Sequence, residues 1–159
     1  MPANATSIMD AMAGFLNGLY PNIPVVEAKD DPGPDPHSPL AGWRPGQSTT
    51  CFVVSIEEPE PVDEGIASFE EIFVRYKMVI TYVKPAAAEP GRWNEDPDIR
   101  DKRQTIRDAI YKPTFARVAG VFDIRYASDR VYEVMDMQPM MIYSPMKVSF
   151  LTQEPRGFN

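Results

Sequence analysis

Two parts of this sequence hold side chains of the types that perform nucleophilic catalysis. The single histidine, His37, adjoins Ser38 in the run Asp35-Pro36-His37-Ser38-Pro39, and the single cysteine is Cys51. A hydroxyl or thiol nucleophile needs a base that is itself held by a third group. His37 and Ser38 are chain neighbours in a proline-locked loop, and no Gly-x-Ser-x-Gly elbow is present. Cys51 lies in Thr50-Cys51-Phe52-Val53-Val54, where a small buried hydrophobe is the simpler reading. One cysteine cannot form an intramolecular disulfide, and no Cys/His spacing matches a metal site.

Carboxylates are the other chemical resource. Pro97-Asp98 followed by Asp101-Lys102 resembles the acid pattern of restriction-type nucleases. In those enzymes the acids come from separate strands, whereas these fall within one helical turn. The cluster Glu57, Glu58, Glu60, Asp63 and Glu64 could attract a cation, yet it lacks an ordered ligand spacing and suits a solvated loop. No glycine-rich phosphate loop occurs. The expectation is therefore no enzyme, no cofactor and no metal, with a small cytosolic α+β enzyme or ligand-binding module as the alternative from a different class.

The acids around residue 97 have a structural role to play. Asp96 can accept from the first-turn N–H groups, and Pro97 loses nothing at the first helical position. Glu95, Asp96 and Asp98 sit at the positive end of the helix dipole, and Arg103, Arg107 and Lys112 follow toward its negative end. Ile99, Arg103, Ile106 and Ile110 make one stripe, apolar apart from the arginine, and Pro113 stops the helix at Tyr111-Lys112. Arg100, Arg103 and Arg107 give it a basic flank suited to a neighbouring subunit.

The elements around that helix follow from periodicity. Ser7 caps a first helix with Ile8, Met12, Phe15, Leu16 and Leu19 at helical spacing. Ile23 to Ala28 is a short strand that Pro24 confines to an edge or a strand start. Residues 30–48 carry Pro32, Pro34, Pro36, Pro39 and Pro45, and read either as an arm reaching another subunit through Leu40 and Trp43 or as a solvated loop. Thr50 to Ile56 is a strand, and 57–65 an acidic loop or a hairpin tip. From Glu71 to Val83, Ile72, Val74, Tyr76, Met78, Ile80 and Tyr82 alternate with the residues between them, and the first set reads as the core face. Such a strand spans about 40 Å, enough to overhang its domain and pair elsewhere, or to curl at a bulge.

Strands follow at 121–126 and 146–152, the latter extendable back across Pro145 to Met141, while 127–138 is ambiguous. Met135, Met137, Met140, Met141 and Met146 suit either core packing or an adaptable interface, with Met137 and Met140 the interface candidates. The fold class expected is α+β: one domain over 1–159, a mixed or antiparallel sheet with two helices packed on it, in the order α-β-β-β-α-β-β, plus the proline-rich arm and a tail at 155–159.

Totals set the boundaries. A net charge of −7 disfavours adhesion to nucleic acid or anionic membrane. No apolar run is long enough to span a bilayer and no secretory signal is visible, so synthesis in the cytosol is expected.

Three stretches then form a pattern: Glu95-Asp96-Pro97-Asp98-Ile99-Arg100, Ile106-Arg107-Asp108-Ala109-Ile110-Tyr111-Lys112-Pro113, and Phe150-Leu151-Thr152-Gln153-Glu154-Pro155-Arg156. Together they resemble small proteins of bacteriophage head–tail modules, and the element order is similar to that of the tail terminator (tail completion) proteins of long-tailed phages. The proline-rich arm departs from that family's compact pattern. The resemblance implies a virion structural protein without catalytic groups, forming a homo-oligomeric, six-fold ring. Its implied partners are further copies of itself, the tail tube protein and the head–tail connector. A head-completion or stopper protein of the same neck is the alternative. DNA would pass through such a ring unbound, and the acids Glu57, Glu58, Glu60, Asp63 and Glu64 are candidates for a phosphate-repelling lumen.

Overall fold

The computed structural model describes residues 5–27, 40, 43, 50–56, 60–62, 71–85, 97–112, 123–127, 133–135 and 141–155. The chain is α+β. Helices α1 (Ala5–Leu19) and α2 (Pro97–Ile110) pack on a mixed sheet of β1 (Val25–Glu27), β2 (Cys51–Ile56), β3 (Glu60–Val62), β4 (Glu71–Pro85), β5 (Asp123–Ala127), β6 (Glu133–Met135) and β7 (Met141–Pro155). The main strand order is β1-β2-β4-β7-β5, with β3 beside β4 and β6 beside β7. Only β1 runs parallel to its neighbour; the other pairs are antiparallel.

Strands β4 and β7 are the spine. They pair along their whole length, from Glu71↔Pro155 to Pro85↔Met141. The surplus length of β4 therefore meets an equally long strand of the same chain. The expectation that it overhangs and pairs elsewhere is corrected: β7 holds one edge, and β2 and β3 hold the other. Two further corrections concern short strands. Part of the supposed acidic loop is β3, which includes Glu60, and the ambiguous 127–138 stretch contains β6. Three-residue strands have too little alternation to be read from sequence alone.

Strand β7 does run back across Pro145. β5 pairs with β7 only as far as Lys147, and β6 begins its pairing at Tyr143. No described strand stands against residues 144–146 on that edge, where a residue lacking an N–H loses no ladder bond.

Alternation along β4 divides the sheet as expected. Val74, Tyr76, Met78, Ile80 and Tyr82 are buried on the helix-bearing face. They meet Phe52 and Val54 of β2 and Ile142, Met146, Val148 and Phe150 of β7. Above them lie Ile8, Met9, Met12 and Leu16 of α1 and Ile99, Ile106 and Ile110 of α2. Burying each such side chain contributes about 1.5–3 kcal/mol. Helix α1 begins at Ala5, so Ser7 is an exposed residue of its first turn rather than its cap.

The opposite face is closed over only part of its length. Cys51, Val53, Val83 and Met141 form a second buried cluster, covered by Val26, Leu40, Trp43 and Tyr143. Met141 and Met146 are thus core residues.

Candidate functional site

The densest polar constellation lies where α2 starts beside the end of β4. Asp98 Oδ2 accepts from Tyr82 Oη at 2.7 Å and from Lys84 Nζ at 3.2 Å, and Oδ1 accepts from Lys102 Nζ at 2.5 Å. The i,i+4 spacing brings Lys102 to Asp98, and β4 delivers Tyr82 and Lys84 from the sheet. Lys102 Nζ also lies 5.0 Å from the ring centres of both Tyr20 and Tyr82. Phe52 continues the aromatic row, 5.6 Å from Tyr20 and 5.2 Å from Tyr82.

Partial burial alone would raise the Asp98 carboxyl. Hydrogen bonds from Lys102, Tyr82 and Lys84, with the charge of Lys102, reverse that and hold it at about 2. A carboxylate so stabilised is a weak general base, because protonating it removes the charge that its donors stabilise. The arrangement instead fastens the start of α2 to β4. Among the described residues, no group of three His, Cys, Asp or Glu side chains could hold a metal ion.

The three arginines of the expected flank separate. Arg100 and Arg107 are exposed on α2, and Arg107 lies 3.3 Å from Asp108, an ion pair open to solvent. Arg103 is half-buried and donates to Ser144 Oγ at 2.8 Å and to the Pro145 carbonyl at 2.9 Å. That carbonyl belongs to residues 144–146 of β7, which lie between the segments paired with β5 and β6. Arg103 thus bonds within its own chain. The helix then closes on the sheet edge through Tyr111, whose hydroxyl accepts the Tyr126 N–H of β5 at 2.7 Å.

Leu40 and Trp43, the expected anchors on another subunit, pack on their own chain. A bond from Trp43 N to Leu40 O of 3.0 Å closes a four-residue turn, and both side chains pack over the second cluster. Burial raises the Cys51 thiol to about 11, partly offset by the nearby Trp43 side chain. The rest of the 30–48 arm, His37, Met137, Met140, Glu57, Glu58, Asp63 and Glu64 lie outside the described residues. Glu60 is placed by its backbone on β3, opposite Arg75.

Sequence reasoning missed one grouping. Arg75 and Lys77 were legible as pointing away from the core, but their neighbours on the same face were not. The register sets Lys77 opposite Ser149, Ser149 opposite Arg125, and Lys147 opposite Val79. Arg75 Nη1 reaches Ser149 Oγ at 3.4 Å, which puts these side chains on one face. Arg125 and Lys147 are exposed, while Arg75, Lys77, Ser149 and Leu151 are half-buried. Alternation within 121–126 and 146–152 was the available signal; the pairing of those strands was not.

The chain matches no protein-family model, and no curated protein is significantly similar to it. The likeness to phage neck proteins therefore rests on its element order and on the three motif stretches.

Proposed function

We propose that this chain is a structural subunit of a bacteriophage head–tail interface, a tail terminator that assembles as a six-fold ring between tail tube and connector. The observation that supports it is the one-sided layering of the sheet. Both helices lie on one face, and the other face carries half-buried Arg75 and Lys77 and exposed Arg125 and Lys147 beyond the second cluster. Antiparallel sheets of lone domains also face water on one side, and in a ring subunit such a face would serve as the surface for its neighbour. The acid-rich composition suits a conduit that lets DNA pass without holding it. The bonding of Asp98 and Arg103 within the fold gives them scaffold roles.

Particle imaging and light scattering on the purified protein, alone and mixed with tail tube and connector proteins, test the reading. Rings, or rings seated on tube ends, are expected. A chain that remains monomeric with both partners present overturns it. A ring on the connector that never engages a tube would place it as a stopper instead.

A further inference from the structure

The strands that end the main sheet order, β1 and β5, each turn backbone groups outward. On β1, the Pro24 carbonyl accepts the Phe52 N–H of β2 at 2.9 Å. Main-chain groups alternate along a strand, so Pro24 and Val26 address β2 and Val25 addresses the other side. On β5, the Tyr126 N–H leaves the sheet for Tyr111 Oη at 2.7 Å. Tyr126 and Ile124 therefore turn away from β7, while Asp123, Arg125 and Ala127 turn toward it. Among the described residues, the outward N–H and C=O of Val25 and of Ile124 have no partner. Such edges are templates for a further strand.

We infer that β1 of one copy pairs with β5 of the next, with Val25 opposite Ile124, so that ring neighbours join sheet edge to sheet edge. This deepens the ring reading and rests on it. The join leaves the charged face to a separate contact. Strand direction and side-chain facing both make a second copy the fitting occupant. Strands β1, β2 and β7 run one way, and β4 and β5 the other. Rotation about a ring axis along the strands preserves those directions, so β5 meets its neighbour's β1 antiparallel.

Opposed residues of an antiparallel pair project to one face of the sheet. Val25 and Ile124 both pack on the helix-side core, so the join keeps the helices of every copy on the same side. Had the outward groups of β1 belonged to Val26, which packs on the second cluster, neighbouring helices would lie on opposite sides. The pair supplies two N–H···O=C bonds. In this register Tyr126 falls opposite Ile23, and neither N–H is needed there: Tyr111 holds that of Tyr126, and the Ile23 N–H donates to the Tyr20 carbonyl at 3.1 Å. Asp123 and Arg125 fall opposite Val26 and Pro24, so backbone pairing rather than ion pairing holds the contact. A heterologous contact of this kind closes into a ring when its rotation allows.

Cysteines placed at the opposed positions test this. Cα atoms of a hydrogen-bonded antiparallel pair lie about 5.5 Å apart, within disulfide range, and Cys51 is fully buried away from the reaction. Mild oxidation of the assembled Val25→Cys/Ile124→Cys double variant should give a ladder of covalent oligomers on a non-reducing denaturing gel. Each single variant should run as one chain. Independently, Ile124→Pro removes an outward N–H but no bond to β7. With its circular dichroism retained, its self-association by sedimentation should weaken at least about tenfold. Assembly of the double variant without a ladder overturns the edge contact and leaves the ring reading standing, as does a folded Ile124→Pro that assembles like the parent. Dimers from Ile124→Cys alone would show β5 pairing with β5 of a second copy and overturn it too. A parent chain that stays monomeric with tail tube and connector present overturns the ring reading and this contact together.

Discussion

Asp98 on α2 and Tyr82 on β4 share a 2.7 Å hydrogen bond that joins the first turn of the helix to the end of one of the two longest strands. Lys84 and Lys102 complete the carboxylate's shell. The chain invests its most elaborate polar chemistry in helix placement, at the block that the sequence marks most strongly. Dipole complementarity accounts for an acid in that first turn, and the cross-element bonds account for its being this one.

That bond predicts an acid-sensitive step in stability. The folded-state carboxyl titrates at about 2 against an ordinary 3.8. A depressed carboxyl stabilises the fold above its unfolded value, and the contribution is lost as pH falls from about 4 through about 2. The unscreened shift corresponds to about 2 kcal/mol, and with 40% of the side chain exposed about 1 kcal/mol remains. Asp98→Asn should lose about 1 kcal/mol at neutral pH and little between pH 4 and 2, by urea unfolding. Equal acid sensitivity in parent and variant would place the titrating group elsewhere.

The Arg103 bonds predict a larger loss. Ser144 is fully buried, and removing the guanidinium takes a donor from its hydroxyl and from the Pro145 carbonyl. Arg103→Ala should cost about 2–3 kcal/mol, and Arg103→Lys less, because an ammonium can still serve one acceptor. Ser144→Ala in the Arg103→Ala background should cost less than Ser144→Ala alone, since the two share one interaction. Additive losses in that cycle would mean that the two side chains do not act on each other.

Much of this fold was legible because periodicity reports burial directly. The β4 alternation named its core face from Val74 to Tyr82, and the isoleucines of α2 named its contact stripe. The direction of polar residues was less legible. Arg103 breaks an apolar stripe, which reads equally well as a solvent-facing error or as a buried donor, and only the gap in β7 pairing decides between them. Leu40 and Trp43 were recognisable as anchors, but a sequence does not say whether an anchor sits in its own chain or the next. Charges on the open sheet face became a group only through strand register, which no single strand encodes.

Two hydroxyls predict a rare gain. Ser55 and Thr81 are fully buried on the sheet face opposite the helices, and neither has a hydrogen-bond partner among the described residues. Thr81→Val keeps the shape and removes a desolvated hydroxyl, so it should be neutral or stabilise by about 1 kcal/mol. Thermal unfolding checks this. A loss above about 1 kcal/mol would show that Thr81 has a partner in the folded protein.

The Trp43 packing predicts the reactivity of Cys51. The thiol is fully buried and raised to about 11, so below pH 9 the thiolate fraction is small and reagents have no access. In the intact protein, maleimide should react with Cys51 only at the rate of opening, and the label should enter after denaturation. Trp43→Ala removes part of the lid over Cys51, Val53, Val83 and Met141. Its labelling should be at least about tenfold faster at pH 7.5, with stability lower by about 3 kcal/mol. The same experiment decides whose cluster Trp43 covers. If it packs on its own chain, the protection of Cys51 is independent of protein concentration. Protection that disappears on dilution to monomer would instead make the turn from Leu40 to Trp43 a contact exchanged between subunits. In that case a 32–45 deletion would break assembly first and the fold second; with Trp43 on its own sheet, the deletion destabilises the monomer itself.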